Sequence, residues 1–522
     1  MFSVLPTHID GLDAILAGGI RYPEDGSAFV FLTGGPGSGK TVLALELVAR
    51  QWLAAEDDSL FLYYSVEHSP KSIRRKLMHD FGFYGHDQST ILEEPEEVPH
   101  KLVLRRASSD AKLVVTQASP AQLGEDKNPG SIGIDWILAE IGNHQMTRSV
   151  KVVCVDNLGL LLTELDFYGR RRALLALRRS LNKSGVHGLF VHEVADRRES
   201  QVPSAEEFST DLYIQLGFAT NQSLFKTRTI EIQKARHQYY YRGPHDFSIA
   251  GRGVKRDTYL GARNERGPGL HIYPSVPALL SIARDGSEGV VPPRGREPIA
   301  LGSESLERAF PAGERPGSGS SIVVLAEPGT RPTRLAMQFL AAGIGAGERG
   351  LLVSTAEDHD ALLRSASATE ELQDLLDGDR FREELSILHL HPEFISAGKF
   401  TGDLMRLVET TSAQQKPIDR LAFADIHRLE DRFPLLRGQN FMLPALLDML
   451  RYQGVTPMVI ELVPQGTAEN ESGVDPSPYL VLFDAVVHLY VGDPGDGTPR
   501  ACVKVLKPAD PEGESQPLPL RR

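Results

Sequence analysis

The stretch Gly34 to Thr41 reads GGPGSGKT and fits the spacing G-x-x-x-x-G-K-[ST] without deviation. The apolar run SAFVFLT (Ser27–Thr33) precedes it and reads as a buried strand. The run VLALELVARQW (Val42–Trp52) follows and reads as a helix. A strand, a glycine-rich turn and a helix in immediate succession leave few folds open. The helix must pack back on the strand, and the next strand must then lie parallel to the first. The chemistry is equally constrained. Glycines let successive backbone N–H groups turn inward around an anion, and the helix N-terminus adds partial positive charge. The predicted cradle is Gly35, Pro36, Gly37, Ser38, Gly39, Lys40, Thr41 and Val42. Lys40 is placed to reach the β- and γ-phosphates of a nucleoside triphosphate, and Thr41 to offer its hydroxyl to Mg²⁺. The expected ligands are therefore ATP and Mg²⁺.

Two carboxylates complete this reading. VKVVCVD (Val150–Asp156) is an apolar run ending in Asp156, the usual place for an acid that holds Mg²⁺ through coordinated water. Glu67 lies just past the next strand-like run, SLFLYYS, where a carboxylate can orient and deprotonate an attacking water. Its neighbour His68 reads as a polar cleft residue or as an exposed one.

The chain repeats itself. VVLAEPGTRPTRLAMQFL (Val323–Leu340) has the outline of the first cradle, with Pro328, Gly329, Thr333, Leu335 and Ala336 in register with Pro36, Gly37, Thr41, Leu43 and Ala44. Four later elements recur in the same order. We read a duplicated α/β domain: two tandem P-loop domains, each a largely parallel twisted sheet flanked by helices. The expected boundaries are an active domain over 1–262, a Pro/Gly-rich linker over 263–298, a degenerate copy over 299–508 and a disordered tail over 509–522. The segment from about Gly85 to Asp110, with its acidic run EEPEE (Glu93–Glu97), reads as an excursion peculiar to the first copy, its charges solvated.

Composition narrows the class. The net charge of −13 disfavours a free nucleic-acid binder, whose affinity rests on neutralising phosphates. One basic stretch, GRRRALLALRRSLNKS (Gly169–Ser184), keeps nucleic acid open but unfavoured. It places Arg170, Arg171, Arg172, Arg178 and Arg179 at helical spacing, and a solvated helix face explains them. Cys154 and Cys502 stand far apart in apolar runs, so buried free thiols are expected. With neither an apolar leader nor a run long enough to cross a bilayer, a cytoplasmic chain without membrane contact is expected.

Several segments resemble KaiC-like proteins of the RecA superfamily: HIDGLDAILAGGI before the cradle, VEHSP (Val66–Pro70), KLVVTQASP (Lys112–Pro120) and RTIEIQKARHQYYYRGPHDFSIAGRGV (Arg228–Val254). The tandem repeat also matches the two domains of KaiC. The resemblance implies RecA-like folds and a homo-oligomeric ring, commonly a hexamer, with ATP bound between neighbouring copies. It also implies that Lys234 and Arg236, the K-x-R pair after a late strand, reach the neighbour's nucleotide. Read from spacing alone, those two residues share one face of an edge strand. Two departures stand out. Glu67-His68 replaces the family's paired glutamates, and the family's autophosphorylation segment finds no match near the end of the chain.

In the second copy Arg331-Pro332 replaces Gly39-Lys40, and Ala326-Glu327 replaces Gly34-Gly35. Proline supplies neither an N–H nor an ammonium. Losing one lysine contact and one backbone donor costs roughly 3–6 kcal/mol, or about 10²–10⁴ in affinity. The second copy is expected to keep the fold and lose turnover, leaving Glu357, Asp358 and Asp425 as relics or caps. The leading expectation is an ATPase that drives a conformational or signalling cycle with an unknown protein partner, the second domain serving as a platform. The alternatives are a nucleotide-gated assembly module, a RecA-like DNA-transaction accessory and a KaiC-type autokinase.

Overall fold

The computed structural model describes residues 1–94, 100–118, 129–162, 165–193, 204–220, 226–252, 267–286, 297–311, 314–355, 362, 383–389, 396–409, 417–426, 429, 431, 433, 442–465, 481–492, 500–507 and 518–519. These residues divide into two compact units. The first runs to residue 252 and takes in 267–275, and the second begins at Val276.

The first unit opens with an antiparallel pair, β1 (Phe2–Leu5) and β2 (Ile20–Pro23), with the short α1 (Leu12–Ile15) between them. Its main sheet contains β3 (Phe29–Gly34), β4 (Leu60–Ser65), β5 (Ile91–Glu93), β6 (Lys101–Arg106), β7 (Lys112–Gln117), β8 (Val150–Asp156), β9 (His187–Glu193), β10 (Leu212–Thr220), β11 (Lys226–Ala235), β12 (His245–Ala250) and β13 (Gly269–Tyr273). Their order is β13-β12-β11-β10-β3-β9-β8-β4-β7-β6-β5. The six central strands, β10 to β7, are parallel, and the strands on either flank are antiparallel.

Both faces of the parallel strands are covered, which is why they read as unbroken apolar runs. Along β3, Val30 and Leu32 pack with α2 (Lys40–Ala54), while Phe29 and Phe31 face the opposite layer. That layer contains α4 (Pro129–Gln145) and α6 (Phe167–Ser184), the latter burying Leu174, Leu177 and Leu181 at helical spacing. Asp166 caps α6 by accepting from the N–H of Gly169, and Gly185, at φ 64°, ends it in the left-handed conformation. Short helices α3 (Pro70–Arg75), α5 (Leu158–Leu161) and α7 (Ala205–Ser209) belong to the same unit.

The second unit has α8 (Val276–Gly286), α9 (Glu304–Ala309) and α10 (Pro332–Gly345), with strands β14 (Ile322–Ala326), β15 (Gly350–Ser354), β16 (Leu385–His389), β17 (Arg420–Phe423), β18 (Thr456–Leu462), β19 (Ala485–Gly492), β20 (Arg500–Lys507) and β21 (Leu518–Pro519). The order is β16-β15-β17-β18-β14-β19-β20-β21. Aligned on β3 and β14, the strands that precede each turn, the series β11-β10-β3-β9-β8-β4-β7 and β20-β19-β14-β18-β17-β15-β16 are the same topology. Agreement extends to an irregularity. The β10–β11 register slips between Tyr213 and Ile214, and the β19–β20 register slips between Val486 and Val487, the corresponding position. The two-domain α/β reading is therefore the fold.

The structure departs from the sequence reading at three places. The stretch expected as a linker holds β13, which closes the first sheet, and α8, which packs on the helix Met442–Tyr452 of the second unit. Proline and glycine around these elements masked their apolar content. The excursion after Gly85 contributes β5 and β6 to the sheet edge, and two of its acids are paired, Glu93 with Arg74 at 2.6 Å and Glu94 with Lys112 at 2.6 Å. Within the expected tail, Leu518 and Pro519 pair with Val503 and Cys502. The other two acids of that run, Glu96 and Glu97, lie outside the described residues, as do Glu357 and Asp358. Cys154 and Cys502 are both buried free thiols.

Candidate functional site

Parallel strands end together, so the loops after β3, β4, β8 and β9 meet at the carboxyl end of the first sheet's parallel strands. Residues of these loops line a cavity of about 390 Å³. Pro36, Gly37, Gly39, Lys40, Thr41 and Val42 form one wall, and Glu67, His68 and Asp156 another. Residues chosen from distant parts of the sequence are thus brought together.

Two glycines make the turn possible. Gly34 adopts φ 151°, and a Cβ there would sit 2.2 Å from the carbonyl oxygen of Leu216. Gly39, at φ 107°, is the left-handed residue from which α2 starts. Lys40 is nearly buried, and its Nζ donates to the carbonyls of Gly34 and Gly35, each at 2.8 Å. Glu193 Oε1 lies 3.7 Å from the same ammonium. Ser38 Oγ is buried with no hydrogen-bond partner among the described residues. A buried cation, an orphaned hydroxyl and a glycine turn on a helix N-terminus fit a phosphate group.

Asp156 ends β8 and is buried. Its Oδ2 accepts from the phenol of Tyr63 at 2.7 Å, and the Thr41 hydroxyl lies near enough to favour the ionised carboxylate. Burial pushes Asp156 above the usual carboxylate range. The Tyr63 and Thr41 hydroxyls pull it back, Glu67 raises it and His68 lowers it. A buried carboxylate beside a threonine hydroxyl is an oxygen donor set suited to Mg²⁺. Glu67 is exposed to the cavity, and Asn157 Nδ2 donates to its Oε1 at 3.5 Å.

Lys234 and Arg236 do not line this cavity. Lys234 pairs across β10–β11 with Tyr213, which lies beside Phe31, whereas the cradle begins at Gly34 beside Leu216. The pair therefore lies toward the opposite end of the parallel strands. Lys234 Nζ donates to the carbonyl of Glu207 at 2.6 Å, and Arg236 lies 3.5 Å from Asp211. Burial, with the neighbouring Arg236 cation, holds Lys234 below its ordinary value against the pull of Asp211 and Glu207.

Four polar wall residues escaped the sequence reading: Lys76, Asn157, Glu193 and Arg228. Strand register brings in Glu193, which pairs with Gly34. Tyr63 was also missed, because in LFLYYS it reads as one more apolar strand residue. Of the α6 arginines, Arg178 is bound to Asp211 at 2.6 Å and Arg170 donates to the Leu165 carbonyl at 2.9 Å. Arg171, Arg172 and Arg179 are exposed. A second hollow of about 470 Å³, walled by Gln51, Lys151 and His187 among others, shares none of the cradle residues.

The second unit keeps the turn and changes its contents. The N–H of Ser38 donates to the Gly35 carbonyl at 3.3 Å, and the N–H of Thr330 donates to the Glu327 carbonyl at 3.3 Å. Arg331 takes the left-handed place of Gly39 at φ 55°, and Pro332 opens α10. Glu327 is buried, with Oε1 3.3 Å from His488 Nε2 and Oε2 accepting from the N–H of Val491 at 3.4 Å. Burial holds His488 below its ordinary value, although Glu327 pulls it upward. Asp425, expected to end a strand, lies past the end of β17, and its carbonyl accepts from Thr355 Oγ1 at 3.3 Å.

Comparison with known proteins agrees with this geometry. Residues 5–256 match the KaiC ATPase family model. The circadian clock protein KaiC3 of Synechocystis is 24% identical over 370 residues, covering 70% of this chain and 61% of that protein. The circadian clock protein KaiC2 of the same organism is 25% identical over 364 residues, covering 70% of this chain and 54% of KaiC2. This chain thus spans less than two thirds of both relatives. A UPF0273 protein of Methanopyrus kandleri is 25% identical over 263 residues, covering 50% of this chain and 94% of that protein. No helix among the described residues is long and apolar enough to cross a membrane. A matched family domain implies nucleotide binding, and the chain is KaiC-like, with a first unit that matches the KaiC ATPase family model.

Proposed function

We propose that the first unit binds Mg²⁺–ATP in the Gly35–Val42 cradle and hydrolyses it, and that the second unit is a platform without turnover. The observation that carries this reading is the convergence of Lys40, Thr41, Glu67 and Asp156 on one cavity. Lys40, with the amides of the turn, would hold the β- and γ-phosphates and offset charge that grows on them during transfer. Thr41 and Asp156 would hold Mg²⁺, which when bound neutralises phosphate charge. Glu67, steadied by Asn157, accepts the proton of the attacking water. As that water's oxygen bonds to the terminal phosphorus, the bond to the leaving ADP oxygen breaks and its electron pair departs with ADP.

The reading extends to a homo-oligomeric ring, with six copies as the expectation from the family. Lys234 and Arg236 lie toward the opposite end of the strands from their own cradle, so a nucleotide that they reach would be a neighbour's. The second unit's cradle supports loss of turnover. Pro332 stands where Lys40 does, and Glu327, in the place of Gly35, is buried against His488. A cycle driven by hydrolysis, with a protein partner that reads it, is the function we favour.

The test is particle mass with ATP, with ADP and without nucleotide, run beside phosphate release. The reading expects ATP to favour the larger particle, with phosphate release abolished by Glu67→Gln while the particle persists. Undiminished release from Glu67→Gln, or release that survives Lys40→Ala, would contradict it.

A further inference from the structure

Tyr63 sits at the centre of the first sheet, fully buried, on β4 beside β8. Its phenol donates to Asp156 Oδ2 at 2.7 Å. The register explains the reach. Tyr63 pairs with Cys154 and Ser65 with Asp156, so the ring lies on the same face as Asp156, one pleat below it. Tyr63 and Cys154 both belong to the apolar cluster under α2. A phenylalanine would fill that space equally well. A buried phenol needs a partner, and this one has a carboxylate.

We infer that Tyr63 is a positioning residue for the divalent cation: it pins one oxygen of Asp156 so that the carboxylate presents its remaining lone pairs to the metal's water shell. The inference rests on the Mg²⁺-holding role proposed for Asp156 and adds a residue to it. A carboxylate on a single bond can rotate. The Tyr63 hydrogen bond selects one orientation. Groups that orient metal ligands from behind usually change metal affinity by about 10–100-fold when removed. Because the metal here would be held through water, the lower end, about tenfold, is expected.

The experiment measures Mn²⁺ binding to the full chain by the loss of its free-ion electron paramagnetic resonance signal, with saturating AMP-PNP. AMP-PNP affinity is measured separately in EDTA. Tyr63→Phe should weaken Mn²⁺ about tenfold and leave metal-free nucleotide affinity unchanged, which also shows that the variant is folded. In an Asp156→Asn background, Tyr63→Phe should have no further effect on Mn²⁺, since the tyrosine acts through the acid. An unchanged Mn²⁺ affinity in Tyr63→Phe, with Asp156→Asn impaired, overturns the inference and leaves the role of Asp156 standing. An Asp156→Asn variant that binds Mn²⁺ normally overturns both. Loss of metal-free nucleotide affinity in Tyr63→Phe assigns the phenol to packing and also overturns the inference.

Discussion

Thr330 Oγ1 donates to the carbonyl of Glu327 at 2.7 Å. The corresponding carbonyl in the first unit, that of Gly35, accepts from Lys40. One backbone acceptor is thus held by a long cationic side chain in the first copy and by a short fixed hydroxyl in the second. The turn survives because its own hydrogen bonds, rather than phosphate contacts, define it. What the second copy has lost is the cation.

Arg331 carries a cost that follows from this history. It occupies a left-handed position, at φ 55°, where its counterpart is Gly39. Arg331→Gly should stabilise the second unit by about 0.5–1 kcal/mol, the relief of a strained side-chain-bearing residue offset by glycine's greater freedom when unfolded. Urea melts of the full chain, followed by a probe in the second unit, check this. An unchanged or lower midpoint would contradict it.

The Glu327–His488 contact is buried on both sides. Glu327→Ala removes the acceptor of the Val491 N–H as well as the partner of His488, and should destabilise the second unit by about 1–3 kcal/mol. It should not confer nucleotide binding, because Pro332 still stands in place of a lysine. The same melts, with a nucleotide titration of the variant carrying Lys40→Ala, read both outcomes.

For Glu67, geometry separates binding from chemistry. The carboxylate lines the cavity but is not part of the Gly34–Thr41 turn. Glu67→Gln should lower phosphate release by about 10²–10⁴ and leave nucleotide affinity within about twofold. Phosphate-release assays and calorimetry on the same preparation check the split. A parallel loss of both would place Glu67 in binding.

His187 makes the first unit sensitive to acid. Its Nδ1 accepts from the N–H of Ala28 at 3.1 Å, and burial, helped by the Lys151 cation, lowers its pKa from 6.5 to about 4. Above pH 6.5 the imidazole is neutral whether the chain is folded or not, and its contribution is complete. Below that, the unfolded chain gains a proton that the folded one refuses until pH about 4. Stability should therefore fall across this window by up to about 3 kcal/mol. His187→Gln, which has no proton to gain, should flatten that part of the profile, as read by urea midpoints at several pH values.

Much of this was legible in the sequence, for identifiable reasons. The cradle is contiguous, so Gly34 to Thr41 announces itself. Asp156 ends an apolar strand and Glu67 follows one, so their place at the carboxyl end of the strands follows from the parallel topology. The duplication is visible because buried strands recur as apolar runs in a fixed order. What stayed hidden depends on register. Glu193 reaches Lys40 because β9 pairs with β3 at Gly34, and Tyr63 reaches Asp156 through the pairing of β4 with β8. Neither pairing can be counted from the linear chain. The strand β13 was lost in a segment whose prolines and glycines read as a linker, although Leu270 N–H is held by the buried Glu46 at 2.7 Å.

The central claim is that this chain grips a triphosphate once, through Lys40, and has no second grip. Calorimetric titration of the full chain with AMP-PNP and Mg²⁺ tests it most directly. The account predicts one nucleotide per chain in the wild type and none in Lys40→Ala. Two nucleotides per chain, or uptake that survives Lys40→Ala, would contradict it.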